Sequence, residues 1–181
     1  LSPDTKPLGV LGYMRCAGEI LDQLKKQKKS VSAIVVASGS AATHVGLLLG
    51  LRLLRSRIPV YGICVRRDKK QQVSRVKGIV RLAENLIGCG EVVQEDDIKC
   101  HDEWLQPGYG RTNEFVYEAM TLAGNLEAMV VDPVYTAKSF AGAIGLYRQG
   151  LFDKSQNILY LHTGGTPAIF AYEREITETL N

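Results

Sequence analysis

Histidine, cysteine and tryptophan are scarce in this sequence: three His, four Cys and one Trp among 181 residues. No two of Cys16, Cys64, Cys89 and Cys100 stand in CxxC spacing, and only His101 adjoins one of them. That pattern predicts neither a zinc cluster nor a secreted disulfide framework, but reduced thiols in an intracellular protein. No apolar run approaches the length that spans a bilayer, and no signal-peptide pattern is present. A cytoplasmic protein is therefore expected, or an organellar one, with no membrane partner. Charge of one sign is also lacking: 22 basic against 19 acidic residues leave +3. The densest basic stretches, Lys25–Lys29 and Arg66–Lys70, fall at expected helix ends and read as solvated termini rather than a nucleic-acid face. With 45% apolar and 23% charged residues, the chain has the composition of a folded globular protein.

What is present is alternation. Leu8–Lys29 has helical periodicity, with Leu11, Met14, Ala17, Ile20, Leu21 and Leu24 on one face. Ala33–Ala37 (AIVVA) reads as a strand buried on both sides. Helix is expected over Ala42–Arg55, strand over Val60–Val65, and helix over Lys69–Ile87, stopped by Gly88. A short strand over Asp97–His101 follows, then helix over Thr112–Ala123, strand over Ala128–Val131, helix over Ser139–Gln149 and strand over Asn157–His162. Apolar strands alternating with helices predict an α/β fold, a parallel sheet with helices on both faces. No repeat or linker divides the chain.

In such sheets ligands gather at the carboxyl ends of the strands. Ser38-Gly39-Ser40-Ala41-Ala42-Thr43 runs from strand to helix without a bulky side chain. Free N–H groups at the helix start, with the hydroxyls of Ser38, Ser40 and Thr43, suit a phosphate. The helix dipole contributes only about 0.3–1 kcal/mol, so direct bonds at about 1.5–3 kcal/mol each must supply the rest. An ordinary capped turn explains the loop equally well, and it is neither GxGxxG nor a Walker loop. Tyr135 follows a strand and precedes a helix, where its hydroxyl could serve proton transfer; packing over the sheet edge is the better reading from pattern alone. Lys138 reads as solvated. Thr163, ahead of Gly164-Gly165, is the first polar group after the last strand. Tyr109 stands between two glycines on a loop. Glu114, His44, His101, His162 and Trp104 take structural readings.

Taken together, the runs KPLGVLGYMRCAGEI, ASGSAATHVGLLLGL, PGYGRTNE, DPVYTAKSFAGAIGLYRQG and LYLHTGGTPAIFAY resemble one family. It is the pyridoxal-phosphate enzymes that include D-cysteine desulfhydrase and 1-aminocyclopropane-1-carboxylate deaminase. The resemblance implies a tryptophan-synthase-β-like fold (fold type II), usually a homodimer. Residues 1–181 would form the C-terminal portion of the large cofactor domain, without an internal boundary. It implies pyridoxal 5'-phosphate as cofactor, with residues 38–43 around its phosphate and Thr163 beside the pyridine nitrogen. Tyr109 and Tyr135 would be the active-site tyrosines. Thr136 and Thr163 stand where the ring-opening deaminases have Glu and Leu, and so resemble the desulfhydrase. The reaction implied is α,β-elimination of D-cysteine to pyruvate, ammonia and hydrogen sulfide. Deamination of 1-aminocyclopropane-1-carboxylate and an L-cysteate sulfo-lyase reaction are the alternatives.

The chain also departs from that family. Arg111 and Thr112 follow GYG where a small apolar residue and Pro are usual. The cofactor-bearing lysine and the serine loop for the substrate carboxylate match nothing here; Lys6 and Lys138 fall in matched runs at positions without that role. The resemblance thus implies a missing N-terminal half, an incomplete sheet with an exposed apolar edge, and association or poor solubility of this chain alone. A non-catalytic fragment and an unrelated phosphate-ligand binder are the competing readings.

Overall fold

The computed structural model describes residues 7–180; Lys6, with Leu1–Thr5, lies outside them. Helix α1 (Leu8–Lys26) leads to strand β1 (Ala33–Ser38), α2 (Ala42–Leu53), β2 (Val60–Cys64) and α3 (Lys69–Ile87). After a 3-10 turn at Glu95–Asp97 come β3 (Lys99–His101), α4 (Glu114–Glu127), α5 (Thr136–Arg148) and β4 (Ile158–Tyr160). A 3-10 segment, Thr166–Tyr172, passes into α6 (Glu173–Leu180). Among the described residues the strands form one parallel sheet in the order β3-β2-β1-β4. No helix among them is long and apolar enough to cross a membrane.

The two-residue period of the strands divides the core. Ile34, Val36, Val60, Cys64 and Cys100 point to one face and pack with Val10, Ala17, Leu48 and Val76 of α1, α2 and α3. Ala33, Val35 and Ile63 point to the other face and meet Trp104, Ala119, Ala141 and Leu146. Both faces of β1 are therefore dry, which is why its sequence shows no polar alternation. Helices cover both faces, as the alternating pattern predicted.

Two glycines set the distance between α1 and α2. A Cβ on Gly46 would stand 2.4 Å from Tyr13 Cβ and 2.6 Å from the Val10 carbonyl. One on Gly50 would stand 2.7 Å from the Met14 carbonyl and 2.9 Å from Ala17 Cβ. Backbone here packs on backbone, and no side chain fits between. The inward face of α1 correspondingly includes Val10, which is fully buried, while Leu11 is exposed.

Several boundaries differ from expectation. Ala128–Val131 is not a strand. Helix α4 continues to Glu127, Ala128 caps it in the left-handed region, and Val131 packs between α4 and α5. Local apolarity there reflects helix packing, which a four-residue run cannot distinguish from a strand. Helix α5 starts at Thr136 rather than Ser139, and α1 stops at Lys26, before the left-handed Lys28. Helix α2 ends at Leu53, ahead of the left-handed Arg55. Helix α4 starts at Glu114, where the Asn113 side chain accepts from the Val116 N–H. Strands β3 and β4 are shorter than their apolar runs. Strand β4 bonds only β1 among the described strands, and an apolar groove of Phe140, Ile144, Tyr147, Phe152 and Ile158 lies beside it.

The helix contact gives a direct test. Gly50→Ala should destabilise the fold by about 1–3 kcal/mol through overpacking. Gly78→Ala, on an exposed face of α3 with nothing within 4 Å of the new methyl, should stabilise it by about 0.5–1 kcal/mol. Urea unfolding of both variants reads the difference; equal effects would show that the α1–α2 contact is loose.

Candidate active site

At the carboxyl edge of the sheet lies a cleft of about 230 Å³. Its walls are Ala37, Gly39, Ser40, Thr43, Arg66, Tyr109, Tyr135 and Thr163. Parallel strands bring these together: β1 ends into residues 39–43, β2 into Arg66, and β4 into Thr163. Six of the ten singled-out positions thus share one cleft. The other four, Ser38, Ala41, Ala42 and Thr136, stand behind its walls.

The loop after β1 turns into α2 through Ala41, whose φ of 78° is left-handed. Its carbonyl groups are held from outside the cleft. The Arg67 guanidinium donates to the Gly39 carbonyl at 3.0 Å, joined by the Gln72 amide at 3.3 Å, and Arg75 donates to the Ser40 carbonyl at 2.8 Å. The first turn of α2 leaves N–H groups without helical partners beside the cleft, and Ser40 and Thr43 add hydroxyls. No acidic side chain lines the space. This donor set fits a phosphate.

Ser38 differs from expectation. Its hydroxyl faces the interior, 3.0 Å from His44 Nδ1, and accepts from the Gln72 amide at 2.9 Å. It braces the loop from beneath instead of offering a donor to the cleft. Gly62 makes room for His44, since a Cβ there would lie 2.3 Å from Nδ1. Cys64 and Cys100, both buried, lie in the same core, and the coupling of the two thiols, with burial, pushes Cys64 up.

Tyr109 and Tyr135 come from different loops, yet their hydroxyls are hydrogen-bonded and their rings stand edge to face. That bond, followed by burial, pushes Tyr135 up to about 12, while Arg66 acts in the opposite direction. Tyr135 is therefore a neutral phenol at physiological pH. The Arg66 guanidinium lies 5.3 Å from the centre of the Tyr109 ring.

Two buried charged residues hold the tyrosine loops. Asp132 accepts from the N–H groups of Val134, Tyr135 and Thr136, and from the Thr136 hydroxyl at 2.7 Å. Thr136 is fully buried in this box. It reaches the cleft only through Tyr135, so its influence on specificity would be indirect. Gly165 packs on the same carboxylate, where a Cβ would fall 2.6 Å from Oδ1. Lys138 is not solvated: it is fully buried and donates to the carbonyls of Leu105 and Gly108, at 3.1 and 2.6 Å. Burial lowers its pKa to about 8. Of the two lip departures, Thr112 donates to Glu175 at 3.1 Å and accepts from Tyr117, and beside them Tyr172 donates to the Gly110 carbonyl. His162 bonds the Val130 carbonyl at 2.9 Å and accepts from the Gly164 N–H.

Arg67, Gln72 and Arg75 carry no motif signal and lie far along the chain from the loop they fix, whereas Asp132 and Lys138 stand in the DPVYTAKSF run, Asp132 bonding residues only two to four positions on. The one available hint was Lys138, a cation at a helix start where the dipole disfavours it.

Comparison with known proteins gives a consistent result. The family described as "Pyridoxal-phosphate dependent enzyme" matches residues 1–164. D-cysteine desulfhydrase of Salmonella typhi is 39% identical over 169 residues, covering 93% of this chain and 50% of the relative. That of Serratia proteamaculans (strain 568) is 38% identical with the same coverage. A crystal structure described as an "ACC deaminase homologue" superposes with a TM-score of 0.83 at 33% identity, over 95% of this chain and 50% of that one. The chain thus spans about half the length of these relatives.

Lys138 supplies a pH test. Its folded pKa of about 8 lies below the ordinary 10.5. Between those values the unfolded chain binds more protons, so this group's contribution is full above 10.5 and lost as pH falls through 8. Lys138→Met should cost about 1–3 kcal/mol for the loss of two hydrogen bonds to carbonyls that keep only a backbone donor each. The gap from the unsubstituted chain should widen from pH 7.5 to pH 10 in urea unfolding; a pH-independent gap would refute the buried ammonium.

Proposed function

Because the chain belongs to the pyridoxal-phosphate-dependent enzyme family, we propose that it is the phosphate-cradling, tyrosine-bearing portion of a carbon–sulfur lyase acting on D-cysteine or a closely related small amino acid. The observation that carries this reading is the cleft itself, in which a small-residue loop at a helix start faces two hydrogen-bonded tyrosines. Ser40, Thr43 and the backbone N–H groups of residues 39–43 would hold the cofactor phosphate, with Ser38 fixing the loop from below. Thr163 would lie beside the pyridine nitrogen, where a hydroxyl accepts or donates a hydrogen bond but does not stabilise a pyridinium as a carboxylate would. Pyridoxal phosphate, when bound, withdraws electrons from the substrate Cα.

The chain's own residues then manage protons. Tyr135, kept neutral, can donate a hydrogen bond or a proton to an atom beside it, and Tyr109 shares that proton across their bond. In the elimination the Cα proton is lost and sulfur leaves with the Cβ–S electron pair. Addition of water then gives pyruvate and ammonia alongside hydrogen sulfide.

Desulfhydration is favoured over opening of a cyclopropane ring by Thr136 and Thr163. Residues 1–181 would form the C-terminal part of the large cofactor domain. The cofactor-bearing lysine would come from the half of the relatives that this chain does not match, and the free edge of β4 with its apolar groove is where that half would pack. The resemblance further favours a homodimer.

Pyridoxal-phosphate titration, borohydride reduction and peptide mapping test the assignment. This chain should give no single stoichiometric lysine adduct; one on any of its lysines would overturn the division of roles. In the complete enzyme Tyr135→Phe should lower kcat by about 100-fold with the cofactor still bound. An unchanged kcat would remove Tyr135 from the proton path.

A further inference from the structure

Three arginines surround the phosphate loop, and they are used differently. Arg67 and Arg75 are tied to the loop carbonyls of Gly39 and Ser40. Arg66 donates to no described acceptor and pairs with no described carboxylate; its guanidinium rests against the Tyr109 ring and lines the cleft. It is the single charged side chain on the cleft wall. The donors suited to a phosphate are those of residues 39–43, on the same cleft. Arg66 instead stands with Tyr109 and Tyr135, the pair assigned to the substrate.

We propose that Arg66 is a specificity residue that reads a negative charge carried on the substrate's Cβ substituent, so that among the small amino acids the lyase accepts, one with an anionic β-group is favoured over one with a neutral β-group. This deepens the lyase reading above and rests on it. A guanidinium offers several in-plane donors to a planar or tetrahedral oxyanion and is charged at any working pH. Its contact with the Tyr109 face restricts the head without consuming those donors. An unpartnered cation in a partly enclosed cleft raises affinity for anions there and lowers it for cations.

The test uses the complete enzyme loaded with cofactor, and compares the unsubstituted protein with Arg66→Gln and Arg66→Lys. Two β-substituted alanines are compared in both enantiomers, cysteate with an anionic β-group and β-chloroalanine with a neutral one. Arg66→Gln should lower kcat/KM for cysteate by about tenfold or more, chiefly through KM, as loss of one charge-assisted bond requires. The loss on β-chloroalanine should be several-fold smaller, and Arg66→Lys should recover part of the cysteate activity. Equal losses on both substrates would overturn the proposal. So would a tenfold weaker cofactor affinity in Arg66→Gln, which would give Arg66 to the cofactor phosphate. Unreactive 3-sulfopropanoate, titrated calorimetrically, separates this from the lyase reading. If neither amino acid is turned over, the lyase reading fails, but at least tenfold weaker binding of 3-sulfopropanoate to Arg66→Gln would still support the charge-reading role. Equal binding by the two proteins would overturn that role.

Discussion

The direction in which the Gly39 and Ser40 carbonyls point governs the cleft. A short loop between a strand and a helix can present either its N–H groups or its C=O groups to a ligand. Here Arg67, Gln72 and Arg75 draw the oxygens to the outside. Each is a bond from a cation or an amide to a neutral acceptor, of the strength that decides local backbone orientation. The concave side is left to N–H groups and hydroxyls. Beneath the loop, the Ser38 hydroxyl joins His44 to Gln72. The same amide therefore holds the loop from below and from the side. The loop's orientation thus depends less on its own sequence than on α3, which supplies Gln72 and Arg75.

The opposite wall uses the same device with different residues. Tyr109 and Tyr135 lie 26 positions apart, on loops that have no regular structure to fix them. Asp132 gathers four donors around its carboxylate and so shapes the turn that carries Tyr135. Lys138 reaches across to two carbonyls and so pins the approach to Tyr109. Buried charges are costly unless paired or hydrogen-bonded; Asp132 accepts four bonds, and Lys138 uses two of its three donors. The two loops meet in the phenol–phenol bond because Asp132 and Lys138 belong to one segment, the entry into α5.

This distribution explains what the sequence makes legible. The strand runs AIVVA and VYGICV are self-announcing because both faces of those strands are dry. The small-residue loop and the GYG tyrosine are visible because glycine and alanine there have no competing reason. Ala128–Val131 misleads because an apolar stretch of four residues fits a helix cap and a helix–helix contact as well as a strand. Lys138 and Ser38 mislead for a different reason. A lysine on a helix or a serine in a turn is normally solvated, and only tertiary contacts, from Leu105 and Gly108 in one case and His44 and Gln72 in the other, turn them inward. Residues that present chemistry leave local marks, whereas most of those that orient it, Asp132 excepted, act through long-range bonds and leave none.

The arginines tie these layers together. Burial, then Arg75, then Arg66 lower the Arg67 pKa, so the three cations repel one another around one loop. That repulsion persists because two of them are committed to carbonyls, whose partial charge offsets only part of it. A bound phosphate on the inner side of the loop would relieve the field felt by Arg67 and Arg75. Arg66, against the Tyr109 ring, is the one of the three that lines the cleft itself. On the proposed function, a cleft built this way would offer anions two sets of donors, the loop's N–H groups and hydroxyls for the cofactor phosphate and the Arg66 guanidinium for the substrate.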